Sequence, residues 1–252
     1  MSTYSQLNEN LKKLKLLKMQ ENIDSYIDMI NEGKKSVTAA LTEMTELELS
    51  HKADMAVVSC VKVANFPFLK ELKDFDFDYQ PSINKQEIMD LASLRFLENH
   101  DNIIFCGSPG VGKTNLAVSI GIEAAKQRYS TYFIPFDELI SQLKKAKYEN
   151  RLNERIKWFC RYKLLLIDEL GYEQMDTESA NLFMKIISKR YEKTSTIITT
   201  NLVFSKWIDV FQDPVLTNAL LDRFLHHCSV ISINGPSYRL KDHMSLFVES
   251  GE

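Results

Sequence analysis

The feature most informative about the architecture of this chain is the run Gly107-Ser108-Pro109-Gly110-Val111-Gly112-Lys113-Thr114-Asn115. It contains the spacing G-x-x-x-x-G-K-T, it directly follows the apolar residues 102–106, and a stretch of helical composition, residues 115–128, comes after it. This order of strand, loop and helix is the context in which such a loop binds the phosphates of a nucleotide. The run therefore predicts a nucleotide site in a domain of mixed strands and helices.

The chemistry of the run predicts how ATP and Mg²⁺ are bound. Glycines allow a backbone path that points amide groups at phosphate oxygens, and the following helix adds its positive N-terminal end. We expect residues 107–115 to surround the phosphates, Lys113 to reach the β- and γ-phosphates, and the Thr114 hydroxyl to coordinate Mg²⁺. The alternative is a glycine-rich turn with an incidental lysine, and the complete motif after a strand argues against it.

A second apolar run, residues 164–167, leads directly into the acidic pair Asp168-Glu169. Ligands of open α/β sheets bind at the carboxyl ends of the strands, so both carboxylates are predicted at the nucleotide site. Asp168 is expected to bind Mg²⁺, and Glu169 to orient and activate a water for attack on the γ-phosphate. The acidic pair favours hydrolysis over phosphoryl transfer to a small acceptor. The alternative is a strand that ends in two solvated acids.

Asn201 ends a further apolar run, residues 197–201. If this run is a strand of the same sheet, the Asn201 amide can contact the attacking water or the γ-phosphate. The alternative is an asparagine that caps a helix or forms a turn.

The distribution of apolar runs predicts the fold class. Five short runs, at residues 102–106, 131–134, 163–168, 196–200 and 229–233, alternate with helical stretches at 115–128, 137–160 and 177–193. This alternation indicates βαβ units and a five-stranded parallel sheet flanked by helices. Residues 1–75 have helical spacing, so we predict an all-helical N-terminal domain at 1–75 and an α/β domain at 76–252. Residues 74–79 alternate acidic and aromatic side chains and are expected to form an extended linker whose aromatics pack on the second domain.

Composition excludes several classes of protein. The 252 residues are 44% hydrophobic and 26% charged with a formal net charge of −3, which is ordinary for a globular chain. No apolar run approaches the roughly 20 residues of a membrane helix, and the N-terminus lacks the apolar core of a signal peptide. The expected location is therefore cytoplasmic, with no membrane partner. A mildly acidic chain is not predicted to coat nucleic acid, so any such surface must be local.

Nearly the whole chain resembles the IstB-like transposition helper ATPases of the AAA+ superfamily, which are close to the DnaC-like helicase loaders. The phosphate-loop and acidic-strand motifs are shared with many ATPases, whereas the run from 213 to 239 is much more specific. The motifs that carry the resemblance are FDFDYQPS (75–82), GSPGVGKT (107–114), LIDELGY (166–172), TNL (200–202), DPVL (213–216), LDRFLHH (221–227) and GPSYR (235–239).

The resemblance implies roles for three further residues. Asn201 matches the sensor-1 position, Arg223 matches the arginine that one subunit supplies to the γ-phosphate of its neighbour, and Arg239 matches the sensor-2 arginine at the start of a short terminal helix. A guanidinium is always charged and can stabilise charge on phosphoryl oxygens. The alternative for either arginine is a surface ion pair. Only 29 residues follow Arg223, so a reduced C-terminal lid is expected.

The resemblance also implies homo-oligomers that assemble on double-stranded DNA. The basic residues between 144 and 163 could contact its phosphates, or they could form a solvated helix face. Trp158, Phe159 and Tyr162 in this region are expected in the core. The family implies that the N-terminal region binds DNA or a partner, but residues 53–63 carry a single base where relatives tend to be arginine-rich. The predicted DNA contacts are Lys144, Lys145, Lys147, Arg151 and Arg155.

These observations predict a Mg²⁺-dependent ATPase that assembles on target DNA and recruits or activates a transposase. One alternative is a loader of the replicative helicase, which would have the same site and a different partner. Another is a nucleotide-switched DNA-binding module with little turnover, against which the Asp168-Glu169 pair argues. A small-molecule kinase has less support, because no lid with acceptor-binding arginines is evident.

Overall fold

The computed structural model describes residues 2–172 and 174–243. Within them the chain forms eleven α-helices, five β-strands and three short 3-10 turns. The helices are α1 (Thr3–Lys13), α2 (Leu17–Asn31), α3 (Val37–Val63), α4 (Lys85–Ala92), α5 (Arg95–Asn99), α6 (Lys113–Lys126), α7 (Phe136–Tyr148), α8 (Leu152–Cys160), α9 (Thr177–Arg190), α10 (Trp207–Phe211) and α11 (Pro214–Leu225). The strands are β1 (Asn102–Gly107), β2 (Thr131–Pro135), β3 (Leu164–Leu170), β4 (Ser195–Thr200) and β5 (Cys228–Ile233). The 3-10 turns are Leu72–Asp74, Phe204–Lys206 and Tyr238–His243.

The chain divides into two compact units, residues 1–59 and 60–252, and the division falls inside α3. The motifs that are predicted to form a nucleotide site all lie in the second unit. The predicted boundary between an N-terminal domain at 1–75 and an α/β domain at 76–252 stays a prediction.

The first unit is helical, as the spacing of its apolar residues predicts. Leu11, Ile23 and Met44 form its small buried core, one residue from each helix. Glu48 of α3 is 3% exposed, and its Oε2 accepts hydrogen bonds from the backbone amides of Lys18 (2.7 Å) and Met19 (3.2 Å). The first amides of a helix have no partner within the helix. The Glu48 carboxylate therefore joins α3 to the start of α2.

All strand pairs of the second unit are parallel, which confirms the predicted five-stranded sheet. The strand order is β2-β3-β4-β1-β5, so β4 lies between β1 and β3. The pairing of β3 with β4 is regular up to Ile167 and shifts before Leu170. The strand that carries the acidic pair therefore contains an irregularity at that pair.

Helices cover both faces of the sheet. Successive side chains of a strand point to opposite faces, and accordingly Ile103 and Phe105 of β1 pack in one core while Ile104 packs in the other. The first core is completed by α4, α5 and α6, and the second by α7 to α11. Strands buried on both faces are expected to be apolar throughout, as the run 164–167 is. None of the helices in the described part of the chain is long and apolar enough to cross a membrane.

The stretch predicted as helical over residues 137–160 forms two helices. The chain forms α7 and α8, and the break between them is at Asn150, whose φ of 56° is left-handed. Asparagine adopts this conformation more readily than most residues. The Arg151 amide then donates to the carbonyl of Ala146 at 2.8 Å, which closes the turn. The predicted DNA-contact residues are therefore divided between the end of α7, the turn and α8.

The aromatics of residues 74–79 pack as predicted, but the segment is not extended throughout. Phe75 and Phe77 are partly buried against the core that contains α6. The chain turns at 77–79 because the Asp76 carboxylate accepts a hydrogen bond from the Tyr79 amide at 3.1 Å. An aspartate side chain that bonds the backbone a few residues later is a common cause of turns.

The aromatics near the end of α8 are in the core, as predicted, and the backbone carbonyls of two of them bind a buried arginine. Phe159 and Tyr162 are buried, and Trp158 is partly buried against the same core. Arg190 of α9 is 2% exposed and donates to the carbonyls of Phe159 and Tyr162, both at 3.0 Å. It also donates to the Ser195 carbonyl and to Thr196 Oγ1. Burial lowers the pKa of Arg190 to about 10, so the guanidinium remains charged at neutral pH.

We expect Arg190→Met to lower the free energy of unfolding by about 3 kcal/mol or more, because buried carbonyls lose their donors while the volume is kept. Lys189→Met, at the exposed neighbouring position, is the matched control and should change stability by no more than about 0.5 kcal/mol. Urea denaturation followed by circular dichroism measures both. Equal stabilities of the two variants would show that the Arg190 hydrogen bonds contribute nothing.

Candidate active site

A cavity of about 560 Å³ lies at the carboxyl ends of β1, β3 and β4. It contains most of the residues that the sequence predicts to act on ATP. Those that line it are Pro109, Gly110, Val111, Gly112, Lys113, Thr114, Asn115, Asp168, Glu169, Asn201 and Arg239. Gly107 and Ser108 lie at the start of the same loop, whereas Arg223 does not line the cavity.

The loop follows a path that only glycine permits at two positions. Gly110 and Gly112 have φ values of 81° and 102°. A Cβ on Gly110 would lie 2.0 Å from Ser237 Oγ, and one on Gly112 would lie 2.8 Å from the ring of Phe75. The loop backbone is therefore in close contact with two segments that are distant in sequence.

The Lys113 ammonium group lies across the loop. Its Nζ donates to the carbonyls of Gly107 and Ser108, both at 2.8 Å. Burial lowers the pKa of Lys113, and the Asp168 carboxylate opposes that shift. The positive charge of Arg239 lowers the pKa of Lys113 further. Two cationic side chains thus face the same cavity, which suits a ligand with several negative charges.

Asp168 connects the loop helix to the sheet. Its Oδ1 accepts a hydrogen bond from the Thr114 hydroxyl at 2.8 Å and a second from the Thr199 hydroxyl. A carboxylate beside a hydroxyl is a set of oxygen ligands that Mg²⁺ prefers. The donor set of Thr114 and Asp168 therefore fits Mg²⁺.

Glu169 lies at the irregularity of β3. Its φ of 61° is left-handed, and its amide donates to Thr199 Oγ1 at 3.0 Å. It is exposed, while Asp168 and Leu170 on either side are buried. The irregular backbone lets two consecutive residues face the cavity region, although successive residues of a regular strand point to opposite faces.

Thr199 is a site residue that the sequence reasoning missed. Its hydroxyl donates to Asp168 and accepts from the Glu169 amide, so it contacts both acidic residues. The available signal was the pair of threonines at the end of the apolar run 197–201. A buried hydroxyl needs a hydrogen-bond partner, and the neighbouring strand that ends in Asp168-Glu169 provides it.

The three residues with roles implied by the resemblance are in different environments. Asn201 is exposed and follows β4 at the cavity. Arg239 lines the cavity from the 3-10 turn Tyr238–His243, and the predicted terminal helix falls partly on residues 244–252, outside the described residues. Arg223 is on α11, and its Nη1 donates to the carbonyl of Ala219 one turn earlier at 2.9 Å.

Acidic and aromatic side chains contact most of the predicted DNA-binding residues. Lys144 pairs with Asp176 at 2.8 Å, and Lys147 pairs with Glu178. These two acids belong to α9 and its N-terminal cap, so their proximity was not visible in the sequence around Lys144. Arg151 pairs with Glu149, and the Arg155 guanidinium stacks 4.2 Å from the centroid of the Trp158 ring. Lys145 is exposed.

Comparison with known proteins extends over nearly the whole chain. The family model for IstB-like ATP binding proteins matches residues 9–245. A protein of insertion sequence IS232 from Bacillus thuringiensis subsp. berliner, named as an ATP-binding protein, is 52% identical over 97% of this chain and 98% of its own length. Its IS21 counterpart from Pseudomonas aeruginosa is 38% identical over 92% of this chain and 88% of its own.

Solved structures share the fold of the second unit. The DnaC helicase loader is 27% identical with a TM-score of 0.53, over 68% of this chain and 96% of its own. DnaI has a TM-score of 0.55 at 23% identity, over 65% of this chain and 90% of its own. The parallel sheet and the phosphate loop are thus those of a P-loop AAA+ protein, and the chain belongs to the family of IstB-like ATP binding proteins.

Proposed function

We propose that this protein is a Mg²⁺-dependent ATPase that assembles with ATP on double-stranded DNA and recruits or activates a transposase. The observation that carries the ATPase part is the group of Thr114, Asp168, Glu169 and Thr199, which lies in one cavity with Lys113. The insertion-sequence origin of the relatives supports the role in transposition.

The chain's own residues support hydrolysis of the γ-phosphate. Lys113 already lies over the loop and would exchange its bonds with the Gly107 and Ser108 carbonyls for phosphate oxygens. Thr114 and Asp168 would bind Mg²⁺, which neutralises charge on the phosphates when it is bound. Glu169 would orient a water for in-line attack and accept its proton. Asn201 would contact the water or the γ-phosphate, and Arg239 the developing charge.

The placement of Arg223 supports a site that is shared between subunits. A guanidinium that stabilises the transition state must contact the phosphoryl oxygens. Arg223 does not line the cavity of its own chain, which favours a role at the cavity of another copy over a role at its own. This placement supports the proposed homo-oligomer.

Two alternative functions use the same cavity. The fold shared with the DnaC helicase loader supports helicase loading, but the insertion-sequence relatives are more similar and cover more of the chain. A strand-transfer assay with a transposase of the insertion-sequence type, with and without this protein, separates the two. Stimulation of strand transfer by the protein with ATP supports the transposition role. The nucleotide switch with little turnover is tested by the rate of ATP hydrolysis of the unmodified protein with DNA.

Glu169→Gln keeps the size of the side chain and removes the carboxylate that accepts the proton of water. We expect ATP binding to persist and the rate of phosphate release to fall by about 10²-fold or more. Glu87→Gln, on the exposed surface of α4, is the matched control and should be fully active. Normal turnover in Glu169→Gln would contradict the assignment, and negligible turnover in the unmodified protein with DNA would favour the nucleotide switch.

Arg223→Ala should bind ATP nearly normally and hydrolyse it up to about 10³-fold more slowly, as expected when a trans-acting arginine is removed. Glu169→Gln has a defective cavity of its own but keeps its Arg223. A mixture of the two inactive proteins with DNA should therefore recover part of the activity, in proportion to the number of mixed interfaces. Absence of recovery in a mixture shown to co-assemble would place Arg223 in a structural role or within its own subunit.

Replacing Lys144, Lys145 and Lys147 by Gln should weaken binding to all DNA sequences alike and reduce the salt slope by about one unit per lost phosphate contact. The control replaces Lys185, Lys189 and Lys206, three exposed lysines elsewhere, and removes the same charge. Glu178→Gln releases Lys147 from its ion pair, so it should strengthen DNA binding. Fluorescence anisotropy across a salt series measures all three proteins, and an unchanged slope in the first variant would identify these lysines as a solvated face.

A further inference from the structure

We infer that the segment from Asp76 to Gln80 is a clamp that positions Arg239 in the cavity. The inference rests on the proposed function, because it takes the nucleotide phosphates as the ligand of Arg239. Asp76, Tyr79 and Gln80 are positioning residues in this assignment, since they act through the backbone and side chains of residues 236–241.

The central contact is a buried hydrogen bond. Gln80 is 1% exposed, and its Nε2 donates to the carbonyl of Pro236 at 2.7 Å. The Tyr79 hydroxyl donates to the carbonyl of the next residue, Ser237, at 3.3 Å. Hydrogen bonds shielded from water are stronger than exposed ones. Pro236 and Ser237 directly precede the 3-10 turn Tyr238–His243, which is called the Arg239 turn below. Their two carbonyls are thus bound by two consecutive side chains of the clamp.

The outer edge of the clamp is charged and aromatic. Asp76 Oδ2 lies 2.8 Å from the Lys241 ammonium, which keeps the pKa of Asp76 below its usual range. Lys241 also lies over the rings of Tyr79 and Tyr238, at 4.8 Å and 5.0 Å from their centroids. The two rings meet edge to face at 5.3 Å. The clamp therefore contacts the Arg239 turn on both sides of Arg239 in sequence.

The backbone before the turn approaches the clamp closely. A Cβ on Gly235 would lie 2.2 Å from Gln80 Oε1, so a side chain there would displace the Gln80 amide. The Asn234 amide donates to Ser82 Oγ at 3.1 Å, just beyond the clamp. The path from the end of β5 to the turn is thus constrained along its length.

The same turn is bound to the phosphate loop. The Tyr238 amide donates to the Gly110 carbonyl at 2.8 Å, and Ser237 lies against the Gly110 Cα, where a side chain would clash. The clamp and the loop therefore both bind the segment that carries Arg239.

The charge of Arg239 gives the clamp a physical role. Arg239 is close enough to Lys113 for its charge to lower the pKa of that lysine. Two like charges in a partly buried cavity repel each other, and before ATP binds no phosphate offsets this repulsion. Neutral hydrogen bonds to the backbone hold the turn in place without adding charge to the cavity. The arginine is then preorganised for the phosphates, which lowers the cost of binding.

The test is a double-mutant cycle on ATP hydrolysis. Gln80→Met keeps the side-chain volume and removes the donor, and it should lower kcat/KM by about 10-fold, because small misplacements of a positioning group are costly. Arg239→Ala should have a larger effect. In the Arg239→Ala background, Gln80→Met should cost less than about 2-fold, because the arginine that it positions is already absent. Gln86→Met on α4 is the matched control and should be fully active.

The outcomes separate this inference from the proposed function. Absence of ATP hydrolysis in the unmodified protein would refute the proposed function itself. With an active unmodified protein, an unchanged kcat/KM in Gln80→Met, or a 10-fold loss that persists in the Arg239→Ala background, would overturn the clamp. Thermal unfolding verifies that each variant is folded. If Gln80→Met is unfolded, the double variant Tyr79→Phe with Lys241→Met, at a partly buried and an exposed position, takes its place in the same cycle, with the same expected non-additivity.

Discussion

Two hydroxyl groups donate to one oxygen of Asp168, and the candidate active site depends on this shared acceptor. Thr114 comes from the start of α6 and Thr199 from the end of β4, so the Asp168 carboxylate joins three elements that are far apart in sequence. Thr199 also accepts the amide of Glu169, the residue with a left-handed backbone. The position of the proposed general base is thereby tied to that of the proposed metal ligands.

The phosphate loop depends equally on close contacts with distant segments. Phe75 lies against Gly112, and Ser237 lies against Gly110. These contacts leave no room for a side chain at Gly110 or Gly112, and Arg239, two residues after Ser237, lines the same cavity as Lys113. Segments that flank the sheet domain in sequence therefore complete a cavity whose floor is the loop. The cationic side chains of Lys113 and Arg239 in this cavity suit the charge of a triphosphate.

The predictions succeeded where a local pattern specifies a local structure. The five strands, the parallel sheet and the placement of Lys113, Asp168 and Glu169 followed from runs of a few residues and their order. The helical stretch predicted at 137–160 proved to be two helices, and the left-handed turn at Asn150 that separates them has no strong local signal. Two of the predicted DNA-binding lysines, Lys144 and Lys147, have acidic partners on α9 and its cap, and those pairs form only when α7 and α9 pack.

The amino-acid sequence alone was sufficient for the nucleotide site in outline, because the loop, its helix and the acidic strand end each carry their chemistry within a few consecutive residues. It did not reveal the strand order. β4 lies between β1 and β3, and this insertion places Thr199 against the acidic pair. Nor did it reveal that Gln80 and Pro236, 156 positions apart, share a hydrogen bond. Both features arise from the packing of the folded chain, since a buried polar group takes whichever partner the neighbouring element supplies.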